Sequence, residues 1–200
     1  GASDGKVDEG LMSRPDELMI EPLDSNKKTD YKSVATRMTN DLMVDFDLTK
    51  TQAAALAGNL AYESANFQTL QEILSRSRRE KGHKGGLGYV QWTDTSSTNN
   101  RRTRFEDFAK DNKLDVTSYA ANYGYLKKEL SERVPGSIEN MGKNMLKKLK
   151  KADDIKEAVK IVMSGYLRPA AYGSRKTDPD AYTNLVNKRT KRANEILGFI

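Results

Sequence analysis

The sequence predicts an all-α fold with at most a small β-hairpin near residues 85–95, and three observations carry that expectation. After residue 30 apolar residues recur mostly at helical spacing. One stretch, 75–100, breaks the pattern with Gly, charged and Ser/Thr residues. There is no internal repeat. With 200 residues, 36% hydrophobic and 31% charged at a mean hydropathy of −0.76, the chain is long enough to bury one core and amphipathic rather than disordered.

Residues 1–29 show no sustained period and read as an irregular lead-in or linker with a short helix near Asp16–Met19, leaving 30–200 as the folded domain. Tyr31, Val34, Ala35, Met38 and Leu42 give a first helix to about Val44. Thr49 or Thr51 caps the next, whose apolar face is Ala53, Leu56, Ala57, Leu60 and Ala61. Its alanines and Gly58 leave little side-chain bulk, so neighbours can approach closely and the helix should be central. Strand is expected only within 75–100, in the run GLGYVQW. Helices then follow over Phe105–Ala109, from Thr117 or Ser118 to before Pro135, over Ile138–Leu149, and from Asp153 or Asp154 through Val162. Asp178-Pro179, a cap followed by an N1 proline, opens a last helix ending at Gly198.

Composition excludes several chemistries. There is no cysteine and a single histidine, His83, so neither a thiol nucleophile nor a His/Cys zinc site can be assembled, and no metal or cofactor is expected. Catalysis should rest on carboxylates. The glycines at 82, 85, 86 and 88 lack the Gly-Lys-Ser/Thr of a phosphate loop. A net charge of +6 and a pI near 9.3 suit an anionic partner, nucleic acid or a cell-wall surface, or simply a soluble basic surface. No apolar run has the length of a membrane span, and the polar residues 1–10 do not read as a signal peptide.

Glu63 is the most informative residue. It follows Leu60 by three positions, Leu56 by seven and Ala53 by ten, so it projects from the apolar face of its helix. Desolvation there, and the negative end of the helix dipole, both favour a neutral carboxyl able to donate a proton.

The segment GNLAYESANFQTL resembles the glutamate motif of the lysozyme superfamily, in which a helix ends in Glu-Ser followed after two residues by an aromatic, here Glu63-Ser64 and Phe67. GGLGYVQWT resembles the Gly-x-x-Gln-Trp turn of the phage tail lysozyme family. Arg101-Arg102-x-Arg104-Phe105, Leu126-x-x-Glu129-Leu130, the segment Tyr166–Tyr172 and a closing Arg/Ala helix follow in that family's order, so the likeness spans roughly Tyr31–Leu197.

The resemblance implies a lysozyme-like helical domain that cleaves the β-1,4 bond between N-acetylmuramic acid and N-acetylglucosamine in peptidoglycan glycan strands, with Glu63 as proton donor. Ser64, Gly88, Tyr89, Gln91, Trp92, Tyr166 and Tyr172 would border the sugar cleft. Hen-type lysozymes carry an aspartate in Asp-Tyr-Gly-x-x-Gln; aligned on Gln91, that position is Gly86. Asp94 is then the first candidate for second carboxylate, unless water or the substrate's own 6-hydroxyl completes the reaction, as in goose-type lysozymes and lytic transglycosylases. The expected setting is a virion or tail, within a larger virion protein, or delivery to the periplasmic cell wall. Two other readings are a non-catalytic wall-binding domain and a basic helical nucleic-acid-binding module. The second explains the charge but not why Glu63, Gln91 and Trp92 occur together, so nucleic acid is not the expected partner.

Overall fold

The computed structural model describes residues 20–22, 30–132 and 140–200. Helix α1 (Tyr31–Phe46) is followed by α2 (Lys50–Glu63), which starts in a capping box: Thr49 Oγ1 accepts from the Gln52 backbone N–H while Gln52 Oε1 accepts from that of Thr49. The Gln52 amide also donates to Lys150 O (3.1 Å) and Ala152 O (2.9 Å), which fixes the start of α2 to a segment a hundred residues away. Every residue from Gln52 to Ala61 is buried, so α2 is the central helix.

A small antiparallel sheet follows. Its strands β1 (Ile20–Pro22), β2 (Leu70–Glu72), β3 (Lys84–Leu87) and β4 (Trp92–Asp94) lie in the order β1-β2-β3-β4. The expected hairpin is the β3–β4 pair, with Leu87 opposite Trp92 and Lys84 opposite Asp94. Strand also forms outside 75–100, at β1 and β2, because Leu70 and Glu72 alternate inward about the partly exposed Gln71. The rest of the lead-in, including Asp16–Met19, lies outside the described residues, as do Pro135 and Ile138.

Short α3 (Arg76–Glu80) precedes the hairpin. After it come α4 (Arg101–Asp111), α5 (Tyr119–Ser131), α6 (Met141–Leu149) and α7 (Ile155–Val162), then a π-helical turn Met163–Leu167, α8 (Ala170–Gly173) and α9 (Pro179–Leu197). Ser118, Asp154 and Asp178 accept N3 backbone N–H groups at the starts of α5, α7 and α9. The fold is mainly α, with α2 packed against α1, α7 and α9. The α2–α9 contact is close: a Cβ on Gly58 would lie 2.7 Å from Ala193 Cα, so only glycine permits this approach. Among the described residues no helix is long and apolar enough to cross a membrane.

Candidate active site

Glu63 ends α2 on its buried side, with 4% of its surface exposed. Its Oε2 lies 2.5 Å from Nη2 of Arg189, itself 2% exposed, on α9. Arg189 Nη1 donates to Asn59 Oδ1 at 3.0 Å, one turn back along α2, and the guanidinium lies 4.7 Å from the Tyr62 ring centre. The carboxyl group is thus inside the protein as the helical period predicts, but it is held there in an ion pair.

Arg189 was not among the residues expected from sequence, though a signal exists. Val186, Arg189, Ala193 and Ile196 are the buried residues of α9 and recur at helical spacing, so an arginine stands on a core face opposite a glutamate on another core face. Buried charges occur as pairs because an isolated one is too costly.

Beyond Glu63 the chain makes a tight turn. Ala65, Asn66, Phe67 and Thr69 all have positive φ, and Ser64 stitches the turn: its hydroxyl donates to Leu60 O at 2.8 Å and accepts from Phe67 N at 3.1 Å. Ser64 and Phe67 are fully buried, and Phe67 meets Tyr89 edge-on at 5.1 Å. Ser64 therefore shapes the helix end from inside the protein.

The glycine turn has a similar inner logic. Gly88 takes a φ of +80°, and a Cβ there would come within 2.6 Å of Asn122 Oδ1, the atom that accepts the Tyr89 N–H at 2.9 Å. The Tyr89 side chain is buried, and burial pushes its hydroxyl up to about 12. Gln91 also has positive φ and is 3% exposed; its amide donates to Leu70 O (2.8 Å) and Gly88 O (2.9 Å), binding the turn to β2. With both amide protons spent, Gln91 is a strut of the hairpin and not a free donor for an N-acetyl group.

Trp92 and Tyr166 come together, but in the core. Both donate to Glu129 Oε1, at 3.0 and 2.5 Å, while Arg101 forks onto the same carboxylate at 2.8 and 3.1 Å. Trp92 is fully buried against Phe105 (4.3 Å between ring centres) and Tyr125 (5.1 Å), so no sugar can stack on it. Burial opposes a charge on Glu129, but the Arg101 guanidinium and the hydrogen bonds from Arg101, Tyr166 and Trp92 outweigh it and hold the carboxyl below its ordinary range. Tyr172 is half-buried, with Arg175 over its ring at 4.0 Å.

Asp94 is 5% exposed, and both its oxygens accept from Thr103: Oδ1 from the backbone N–H at 3.0 Å, Oδ2 from the hydroxyl. It anchors the first turn of α4. A different carboxylate borders the position where hen-type lysozymes carry their aspartate. Gly86 N–H donates to Glu72 Oε1 at 3.2 Å, Glu72 is 4% exposed, and a Cβ on Gly85 would collide with Glu72. Gly85 therefore makes room for a neighbouring strand's glutamate, while a Cβ on Gly86 would meet the Gln91 side chain, signals not legible without the β2–β3 register.

Comparison with known proteins assigns the domain to a family. The sequence profile of the phage tail lysozyme family matches residues 33–199. The chain belongs to the phage tail lysozyme family. The family supports a lysozyme-like, peptidoglycan-degrading function, a glycosidase-type enzyme and an association with phage. Neither a curated protein nor a solved structure matches the chain.

Proposed function

We propose that residues 30–200 form a glycosidase that cuts the β-1,4 bond between N-acetylmuramic acid and N-acetylglucosamine, with Glu63 as general acid, carried by a virion tail to the bacterial wall. The observation that carries this reading is the position of Glu63: a carboxyl 4% exposed at the end of the central helix of a lysozyme-family chain. Glu63 gives its proton to the glycosidic oxygen as the C1–O bond breaks, and positive charge develops on the sugar. Water then adds to C1 and leaves a reducing end, or the substrate's own 6-hydroxyl attacks and leaves an anhydro end. In either case the Glu63 carboxylate recovers the proton given up by the attacking oxygen.

The second carboxylate in this reading is Glu72 in place of Asp94, because Asp94 is committed to Thr103 at both oxygens while Glu72 stands beside Gly86. Intramolecular attack is the second reading, favoured by the absence of an aspartate at Gly86 itself.

The test is digestion of purified sacculi followed by mass spectrometry of the muropeptides, which separates reducing ends from anhydro ends. Glu63→Gln should lower turnover by about 100- to 10,000-fold, compared at equal folded fraction by circular dichroism. Turnover within a few fold of the parent chain would remove Glu63 from the chemistry.

A further inference from the structure

Beside the end of α2 the structure holds a pocket of about 520 Å³ lined by Tyr62, Asn66, Lys188, Lys191, Arg192 and Glu195. Its four charged residues recur at i, i+3, i+4 and i+7, one face of α9, and cations outnumber the single acid three to one. Tyr62 and Asn66 flank Glu63 in the chain, so this pocket adjoins the site where the bond is cut.

The polar atoms it offers are almost all donors. Arg192 donates to Asn66 Oδ1 and lies 6.0 Å from the Tyr62 ring centre and 5.8 Å from that of Tyr31. With Oδ1 taken, the Asn66 amide has only its NH₂ left to present. Lys188 and Lys191 are exposed and form no ion pair with a described residue. Glu195 accepts from the Tyr31 hydroxyl at 2.8 Å, which turns one of its oxygens to that partner. A concave wall with surplus positive charge selects an anion, since the field is focused where water is partly excluded.

We propose that this pocket binds a carboxylate of the peptide stem on the muramic acid at the point of cleavage. The inference rests on the glycosidase reading for its choice of anion: muramic acid bears, through its lactyl ether, the only carboxylates attached to the glycan at that point. Lys188 and Lys191 supply the charge, Arg192 and Asn66 the fixed geometry. The pocket makes the enzyme prefer glycan whose stem carboxylates are free over the same glycan with those carboxylates amidated.

The experiment titrates the whole chain with a disaccharide-peptide and with the same disaccharide-peptide whose carboxylates are amidated, followed by NMR, and measures cleavage of strands with free against amidated stem carboxylates. The parent chain should favour the free-carboxylate form by at least about tenfold, in the range of one charge-assisted contact. Lys188→Glu/Lys191→Glu should abolish that ratio, while Lys147→Glu/Lys148→Glu on α6, the same change of net charge, should retain it. Equal affinity for both ligands, an unaltered ratio in the Lys188/Lys191 variant, or binding of oligomeric glycerol phosphate in preference to the disaccharide-peptide would overturn the proposal. A chain that discriminates the stem yet cuts neither substrate would overturn the glycosidase reading and not the pocket.

Discussion

Replacing Arg189 by methionine should be among the most destabilising single changes in the domain. The side chain is 2% exposed and satisfies two buried acceptors, Glu63 Oε2 at 2.5 Å and Asn59 Oδ1 at 3.0 Å. Methionine fills much of the volume but supplies neither donor, so a buried carboxylate loses its countercharge. Breaking a buried pair in this way costs about 3–5 kcal/mol. At roughly 2–4 °C per kcal/mol for a domain of this size, Tm should fall by about 6–20 °C. The decisive measurement is a double-mutant cycle by thermal and urea denaturation at pH 7 with Glu63→Gln, Arg189→Met and both together. Glu63→Gln leaves the guanidinium unpaired and also destabilises, but the double variant buries no net charge. It should therefore be more stable than Arg189→Met alone, with a coupling of about 2 kcal/mol or more. Additive losses, or a Tm for Arg189→Met within about 3 °C of the parent, would refute the ion pair and with it the account of how Glu63 is held.

The remaining predictions follow from neighbouring geometry. Glu129 titrates below its unfolded value of about 4.3, so its contribution is present above that pH and is lost as pH falls through the native value. Tm should drop steeply below about pH 4 in the parent and more gently in Glu129→Gln, which starts lower because Arg101 is then unpaired. Gly58→Ala should destabilise by about 1–3 kcal/mol, against alanine's better helix propensity, since the new methyl group would meet the Ala193 backbone at 2.7 Å. Asp94→Asn should cost about 1–2 kcal/mol by weakening the start of α4 while keeping more than about half of the turnover; Glu72→Gln should keep the fold and lower turnover by at least about tenfold if its carboxylate meets the developing charge. Equal effects of the two on sacculi digestion would dissolve the distinction between them.

Much of the scaffold was legible because its signals are local. Thr49 and Gln52, Ser118, Asp154 and Asp178-Pro179 mark helix starts by rules that need no tertiary partner. The burial of Glu63 was legible for the same reason, through its phase relative to Leu56 and Leu60. What sequence reasoning missed is carried by contacts between distant segments. Arg189 lies 126 positions from Glu63, and Glu129 lies 37 from both Trp92 and Tyr166. Periodicity says that a polar residue faces inward, not which partner meets it. Hence Trp92 and Tyr166 read as bordering the sugar cleft from the resemblance, whereas both side chains turn inward to Glu129. Strand β2 was missed because three residues are too few to show alternation.

The expected sugar contacts that proved buried act on the backbone of the two turns. Ser64 fixes the left-handed turn after Glu63, Gln91 ties the glycine turn to Leu70, and Asn122 holds the Gly88–Tyr89 backbone from α5. Each spends its polar atoms inside the protein, so the helix end after Glu63 and the glycine turn are each held by hydrogen bonds that do not depend on a sugar being present. Such preorganisation fixes the backbone at both places. Gln91→Ala should then raise the mobility of both turns, seen as faster amide exchange at Leu70 through Glu72 as well as at Gly88, and lower turnover without any lost contact to the glycan. Faster exchange confined to the hairpin would mean that Gln91 does not couple the turn to β2.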